Sequence, residues 1–149
     1  MTKHILIPTD GSDLSNEAIQ YGIALAKAVN AKVTGLTVSS PFHVLAVDPD
    51  MVTDTRESYE RRMKEVVAKR LAQVRDAAAA AGIPCKVVHI EHEHPYRAII
   101  DTANSNGCDL ITMASHGRRG ISGMVLGSET LKVLTHSTIP ALVCRKAPF

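Results

Sequence analysis

Between Ser115 and Ser128 the chain reads SHGRRGISGMVLGS, four glycines in fourteen residues ahead of a helical pattern. Glycine tolerates positive φ and lets main-chain N–H groups come close to a ligand, and Gly127-Ser128 opens a helix whose unpaired amides and dipole favour an anion. The chemistry such a stretch suits is a phosphate cradle. A solvated surface loop has the same composition, so the loop alone leaves both readings open. Its spacing is not that of the Walker loop, which needs Gly-Lys-Ser/Thr after four residues, nor does it follow the first strand as a dinucleotide fingerprint would. Arg118 and Arg119 could carry charge to a polyphosphate, although at least one of two adjacent side chains must face away. Ser115 and His116 offer a hydroxyl and a ring nitrogen beside the cradle, with capping or a bond within the loop as the alternative.

Two further groups carry chemistry. Thr9-Asp10-Gly11-Ser12 follows an apolar run, and Asp10 there is either a carboxylate acceptor for a ligand or a turn acid. His89, Glu91, His92, Glu93 and His94 are potential metal ligands. On a strand, however, alternation puts His92 and His94 on one face only if the strand continues through them, so a polar strand end leading into Pro95 is the preferred reading. No nucleophile is identifiably held beside a base.

These residues need a scaffold, and short β-type runs alternate with helical stretches along the whole chain. Strands are expected at Lys3–Pro8, Lys32–Val38, Pro84–Ile90, Asp109–Ala114 and Ile139–Arg145, where Pro140 belongs at the start or on an edge. Helices are expected at Leu14–Val29 with Asn30 as the stop, at Thr55–Ala81 closed by Gly82, at Pro95–Ser105 behind a first-turn proline, and at Ser128–Thr135. Ser39–Asp54, broken by Pro41 and Pro49, reads as a long loop. The pattern predicts an α/β fold: a doubly wound five-stranded parallel sheet, order 3-2-1-4-5, with helices on both faces. In that order the loops after Pro8 and after Ala114 open into one crevice at the switch point.

Composition narrows the rest. The 149 residues fit one domain, 1–149, with no internal repeat. Seventeen basic against fifteen acidic side chains, no Trp, two Phe and three Tyr supply neither a basic field nor a stacking platform, so no nucleic-acid partner is expected. No apolar run approaches the roughly 20 residues that cross a bilayer, and MTKHILIPTDGS lacks the apolar core of a signal peptide, which gives an expectation of a cytoplasmic protein with no membrane partner. Cys85, Cys108 and Cys144 are odd in number and sit in apolar runs, as reduced core thiols do.

The opening ILIPTDGS, the middle CDLITMASHGRRG, the helix entry LGSETLKVL and the closing IPALVCR together resemble the universal stress protein family, in order and over essentially the whole chain. Its nucleotide-binding branch shows Gly-x2-Gly-x9-Gly-Ser/Thr; here Ala114-Ser115-His116-Gly117, nine residues, then Gly127-Ser128 match it except that Ala114 replaces the first glycine. The resemblance implies that Pro8, Thr9 and Asp10 line the adenosine end of an ATP site, with Asp10 on the ribose hydroxyls. Val38 would meet the adenine edge through its main chain, and Met113 would border the base. It implies that Gly117 and Gly127 give amides to the phosphates, that Ser128 adds a hydroxyl and N–H, and that Ser115, His116, Arg118 and Glu129 complete the surroundings. The Ala114 methyl would lie where the family backbone runs close to the nucleotide.

The function so implied is an ATP-binding regulatory module for stress, with Mg²⁺ on the phosphates and a homodimer formed through Ile139–Arg145, an exposed sheet edge unless covered. Slow ATP hydrolysis or self-phosphorylation, and a structural dimer without nucleotide, are the alternatives.

Overall fold

The computed structural model describes residues 1–42, 55–117 and 126–146. Strand β1 is His4–Pro8, buried throughout. Helix α1 spans Asp13–Val29. Ser12 caps it by accepting the Ser15 amide at 3.2 Å, and Asn30 ends it in the left-handed region at φ 58°; such a cap is worth about 1 kcal/mol. Strand β2 is Lys32–Ser39. Helix α2, Arg56–Ala80, starts at a Thr55 cap and stops before Gly82, whose φ of 71° a side chain would strain. Then follow β3 at Cys85–Glu91, α3 at Pro95–Ser105, β4 at Leu110–Ala114, α4 at Ser128–His136 and β5 at Ala141–Cys144.

The strands form one parallel sheet in the order β3-β2-β1-β4-β5, as expected from the alternation of elements. Alternate residues of the central strands feed two cores. Ile5, Ile7 and Val33 pack with Ile19, Ile23 and Ala26 of α1 and Val74 and Ala78 of α2. Leu6, Leu36, Ile111 and Met113 pack on the opposite face with Ile99 and Ala103 of α3 and Val133 of α4. Helices therefore cover both faces.

The elements differ from expectation at their ends, each for a local reason. The Asp109 carboxylate accepts the amides of Lys3 and His4, at 2.8 and 3.2 Å, so it ties the start of β1 and β4 begins one residue later. β2 and β3 each run one residue further, because the Ser39 carbonyl accepts the His92 amide at 3.0 Å. β5 is the shorter strand Ala141–Cys144; Pro140 lends only its carbonyl, to the Ile111 amide at 2.9 Å. Residues 43–54 of the long loop, the Arg118 and Arg119 pair, and 147–149 lie outside the described residues.

Candidate functional site

The crevice is built where β1 and β4, adjacent in the sheet, both end. After β1 the chain is held by its own polar groups. The Thr9 amide donates to the Leu36 carbonyl at 2.8 Å, the Thr37 hydroxyl donates to the Thr9 carbonyl at 2.8 Å, and Thr9 Oγ1 lies 3.0 Å from Ser15 Oγ while accepting the Gly11 amide at 3.2 Å. Thr9 and Pro8 are buried, so they shape the crevice from beneath. Asp10 Oδ1 accepts the Ser12 amide at 3.0 Å. Its other oxygen, Oδ2, lies against Gly117, where an added Cβ would overlap it. One oxygen of Asp10 thus serves the turn, and the other lies at the second loop.

The second wall follows β4. The Ser115 amide donates to the Cys144 carbonyl at 2.8 Å, its carbonyl accepts the Gly127 amide at 2.6 Å, and its hydroxyl lies 3.3 Å from His116 Nδ1. The Thr130 hydroxyl donates to the Ala114 carbonyl at 2.8 Å. The end of β4 is thereby laced to the start of α4. Gly127 caps α4 with φ −72° and ψ 160°, extended backbone that any residue adopts. Glycine is needed there for space: a Cβ would come within 3.0 Å of His116 Cα and 3.3 Å of the Ser115 carbonyl. The cap carries no side-chain bond to the helix. Helix geometry gives the amides of Ser128, Glu129 and Thr130 no intrahelical acceptor, so the positive end of the α4 dipole opens toward the crevice.

Three expectations change in detail. The Gly127 amide is committed to the Ser115 carbonyl, which leaves the amides of the next residues as the open donors at the start of the helix. The Glu129 side chain turns away: Oε2 accepts the Tyr96 amide at 2.9 Å, serving the start of α3, whose His94 cap makes no side-chain bond, and Oε1 lies 3.4 Å from Lys132 Nζ. The Ala114 methyl points into a core of Leu14, Ala18 and Cys144 on the α1 side, not into the crevice, because strand alternation sends Met113 one way and Ala114 the other. Met113 packs in the opposite core and is 6% exposed.

Val38 occupies a special register. Along β2 the amides and carbonyls alternate sides: Lys32 and Leu36 bond to the β1 side, Val33 and Ser39 to the β3 side. Val38 therefore points its main chain toward β1, yet the last β1 pair is Pro8 with Leu36. Its N–H and C=O lie on the β1 side beyond the last ladder pair, where the chain turns away at Thr9, and would suit a flat ligand edge that both donates and accepts.

Sequence reasoning missed Arg70. It reaches from α2 across Gly11, which has φ 79°, and a Cβ there would stand 3.0 Å from Arg70 Nε. Only the tertiary packing of α2 on the sheet brings this cation to the β1 loop, and no local pattern announces it.

The histidine-rich segment is a strand exit. His92 Nδ1 accepts the His94 amide at 2.8 Å, and among the described residues no three His, Cys, Asp or Glu side chains come together to hold a metal. Cys85, Cys108 and Cys144 are free thiols, and burial pushes all three above their ordinary range, Cys108 to about 11. Among the described residues no helix is long and apolar enough to cross a membrane.

Comparison with known proteins accords with this architecture. The sequence profile of the Universal stress protein family matches residues 1–145. A universal stress protein of Methanocaldococcus jannaschii is 31% identical over 147 residues, 97% of this chain and 82% of the relative. Among solved structures, another protein of that organism superposes with a TM-score of 0.83 at 24% identity, covering 100% of this chain and 99% of the other. A universal stress protein in complex with cAMP superposes with a TM-score of 0.70 at 24% identity, covering 98% of each chain. The chain belongs to the universal stress protein family.

Proposed function

We propose that this chain is a stress-response module that binds an adenine nucleotide, with ATP as its ligand, in the crevice between the β1 and β4 loops. What supports the reading is that β2, β1 and β4 lie side by side in the sheet and carry three complementary features at their C-terminal ends: the Asp10 carboxylate at Gly117, the β1-facing main chain of Val38, and the open amides at the start of α4. A sugar diol, a purine edge and a phosphate chain ask for these three in turn. That a relative of the same fold was solved with cAMP supports the adenine nucleotide class.

Asp10 would accept from the ribose hydroxyls, Val38 would pair with the base, and the amides of Gly117, Ser128 and Glu129 would receive the phosphates. Ser115, His116 and Arg118 would complete the rim. Mg²⁺ would enter with the phosphates, since the Glu129 carboxylate is engaged at Tyr96 and Asp10 would be occupied by the sugar. The same engagements favour binding over turnover: among the described residues no carboxylate is placed to serve as a base at the phosphate end. Nucleotide would act by favouring one ordered state of the loops, which is all a ligand needs to shift a population.

We further infer a homodimer through β5. This strand is a half-buried edge, and Leu131 and Leu134, three residues apart on α4, are 54% and 42% exposed beside it. The free cysteines fit a reducing cytoplasm.

Calorimetry with ATP and Mg²⁺ on the wild type and on Gly127→Val tests the binding reading. Saturable binding lost in the variant supports the cradle; equal binding by both chains overturns it.

A further inference from the structure

The last residues of β2 are gripped from two sides. Ser39 Oγ and His89 Nε2 are 2.7 Å apart, a diagonal contact on the α2 face of the sheet, since His89 pairs in register with Thr37 and Ser39 with Glu91. One residue later the Ser40 carbonyl accepts the Tyr59 hydroxyl of α2 at 2.5 Å. Ser39 and Tyr59 are each only 5% exposed. Immediately before them stands Val38, whose main chain faces the open end of β1. The turn after β1 reaches as far as Thr37, whose hydroxyl donates to the Thr9 carbonyl, and among the described residues Ser39 and Ser40 are held from β3 and α2.

The grip is open to protons. Ser39, Tyr59 and His89 line a cleft of about 170 Å³ together with Glu60, Lys64 and Glu91.

We propose that His89 and Tyr59 are positioning residues for the base of the bound nucleotide: by holding Ser39 and Ser40 they set the main chain of Val38, and protonation of His89 releases that hold. The inference rests on the nucleotide reading above for its consequence, but not for the clamp itself.

The charge balance gives the direction. Facing His89 are Glu91 on its own strand and Tyr59, Glu60 and Lys64 on α2. Burial opposes a charged ring more than Glu91 favours it, so His89 stays neutral below its ordinary 6.5. A neutral imidazole can pair with the Ser39 hydroxyl in either sense, as donor or acceptor. An imidazolium can only donate, so protonation removes the sense in which the Ser39 hydroxyl donates to Nε2 and puts a charge where burial disfavours one. The clamp holds at neutral pH and weakens as pH falls below about 6.5.

Two measurements test this. In wild-type protein without nucleotide, the amide resonances of Val38, Ser39 and Ser40 should titrate with the apparent pKa of the His89 ring; amides that stay still while the ring titrates overturn the clamp, whether or not a nucleotide binds. In the second, ATP affinity is compared at pH 7.5 and 5.5. ATP and other groups titrate in this window too, so the reading is the difference between chains. The wild type should lose at least threefold more affinity on acidification than His89→Gln, which keeps a hydrogen-bonding side chain but cannot titrate there. Tyr59→Phe should weaken ATP at both pH values. Identical pH profiles for the wild type and His89→Gln would overturn the proposal. Absence of ATP binding by the wild type would overturn the nucleotide reading and with it the positioning of a base, whereas the clamp is judged by the resonances alone.

Discussion

Asp10 Oδ2 lies so close to Gly117 that a Cβ at 117 would overlap it, a carboxylate against a residue with no side chain. A methyl at 117 would have to displace the carboxylate or the loop that carries it. Gly117→Ala should therefore weaken ATP at least tenfold, about 1.4 kcal/mol, by moving the ribose acceptor. The same change made in Asp10→Ala should cost much less, because the clash is gone. A double-mutant cycle by calorimetry reads the coupling; additive losses would show that the contact does not matter to the ligand.

Ala114, the departure from the family glycine, behaves as a core residue, packed with Leu14 and Ala18. Ala114→Gly removes a buried methyl and loosens a strand, so it should destabilise the fold by about 1 kcal/mol while leaving ATP affinity within about twofold, since the methyl does not face the crevice. Urea unfolding and calorimetry on the same preparation check both halves. A large gain in affinity would mean that the methyl obstructs the ligand.

His4 is 6% exposed, with Nε2 2.7 Å from Thr34 Oγ1. Burial, then Lys32 and Lys86, hold it below its ordinary 6.5, against smaller opposing pulls from the Asn106 backbone and then Asp109. The unfolded chain thus takes up this proton first, and stability falls as pH drops through and below about 6.5. His89 acts in the same direction. The urea midpoint should be lower at pH 5.5 than at 7.5, and the difference should shrink in His4→Gln. A midpoint that rises on acidification would reverse the sign.

Leu131 and Leu134 present apolar surface beside the edge strand β5. Leu134→Glu should shift light scattering at micromolar concentration from dimer toward monomer without lowering the thermal midpoint of the folded chain by more than a few degrees. A wild type that scatters as a monomer contradicts the proposed interface.

The sheet order and the crevice were legible because they follow from long-range regularity: five apolar runs, four helical patterns and one favoured handedness of crossover. The proposed cradle rests on Gly117, Gly127 and Ser128 as residue types. What was not legible is how neighbours divide the polar groups. Glu129 directly follows the motif, yet its carboxylate answers the uncapped start of α3, thirty-three positions earlier. The amide of Gly127 meets the Ser115 carbonyl, a bond that exists only once β4 and α4 are docked. Arg70 reaches the β1 loop only through the packing of α2. Such assignments are decided by tertiary contacts between distant segments, and residue spacing carries no trace of them.

The most direct measurement of the central claim is an ATP·Mg²⁺ titration of isotopically labelled wild-type protein followed through its amide resonances. The account predicts one saturable site per chain, with the largest shifts at Asp10, Val38, Gly117, Ser128 and Glu129 and small ones at the far, N-terminal ends of the strands. Resonances that do not move at millimolar ATP, or shifts centred away from the ends of β1 and β4, would contradict it.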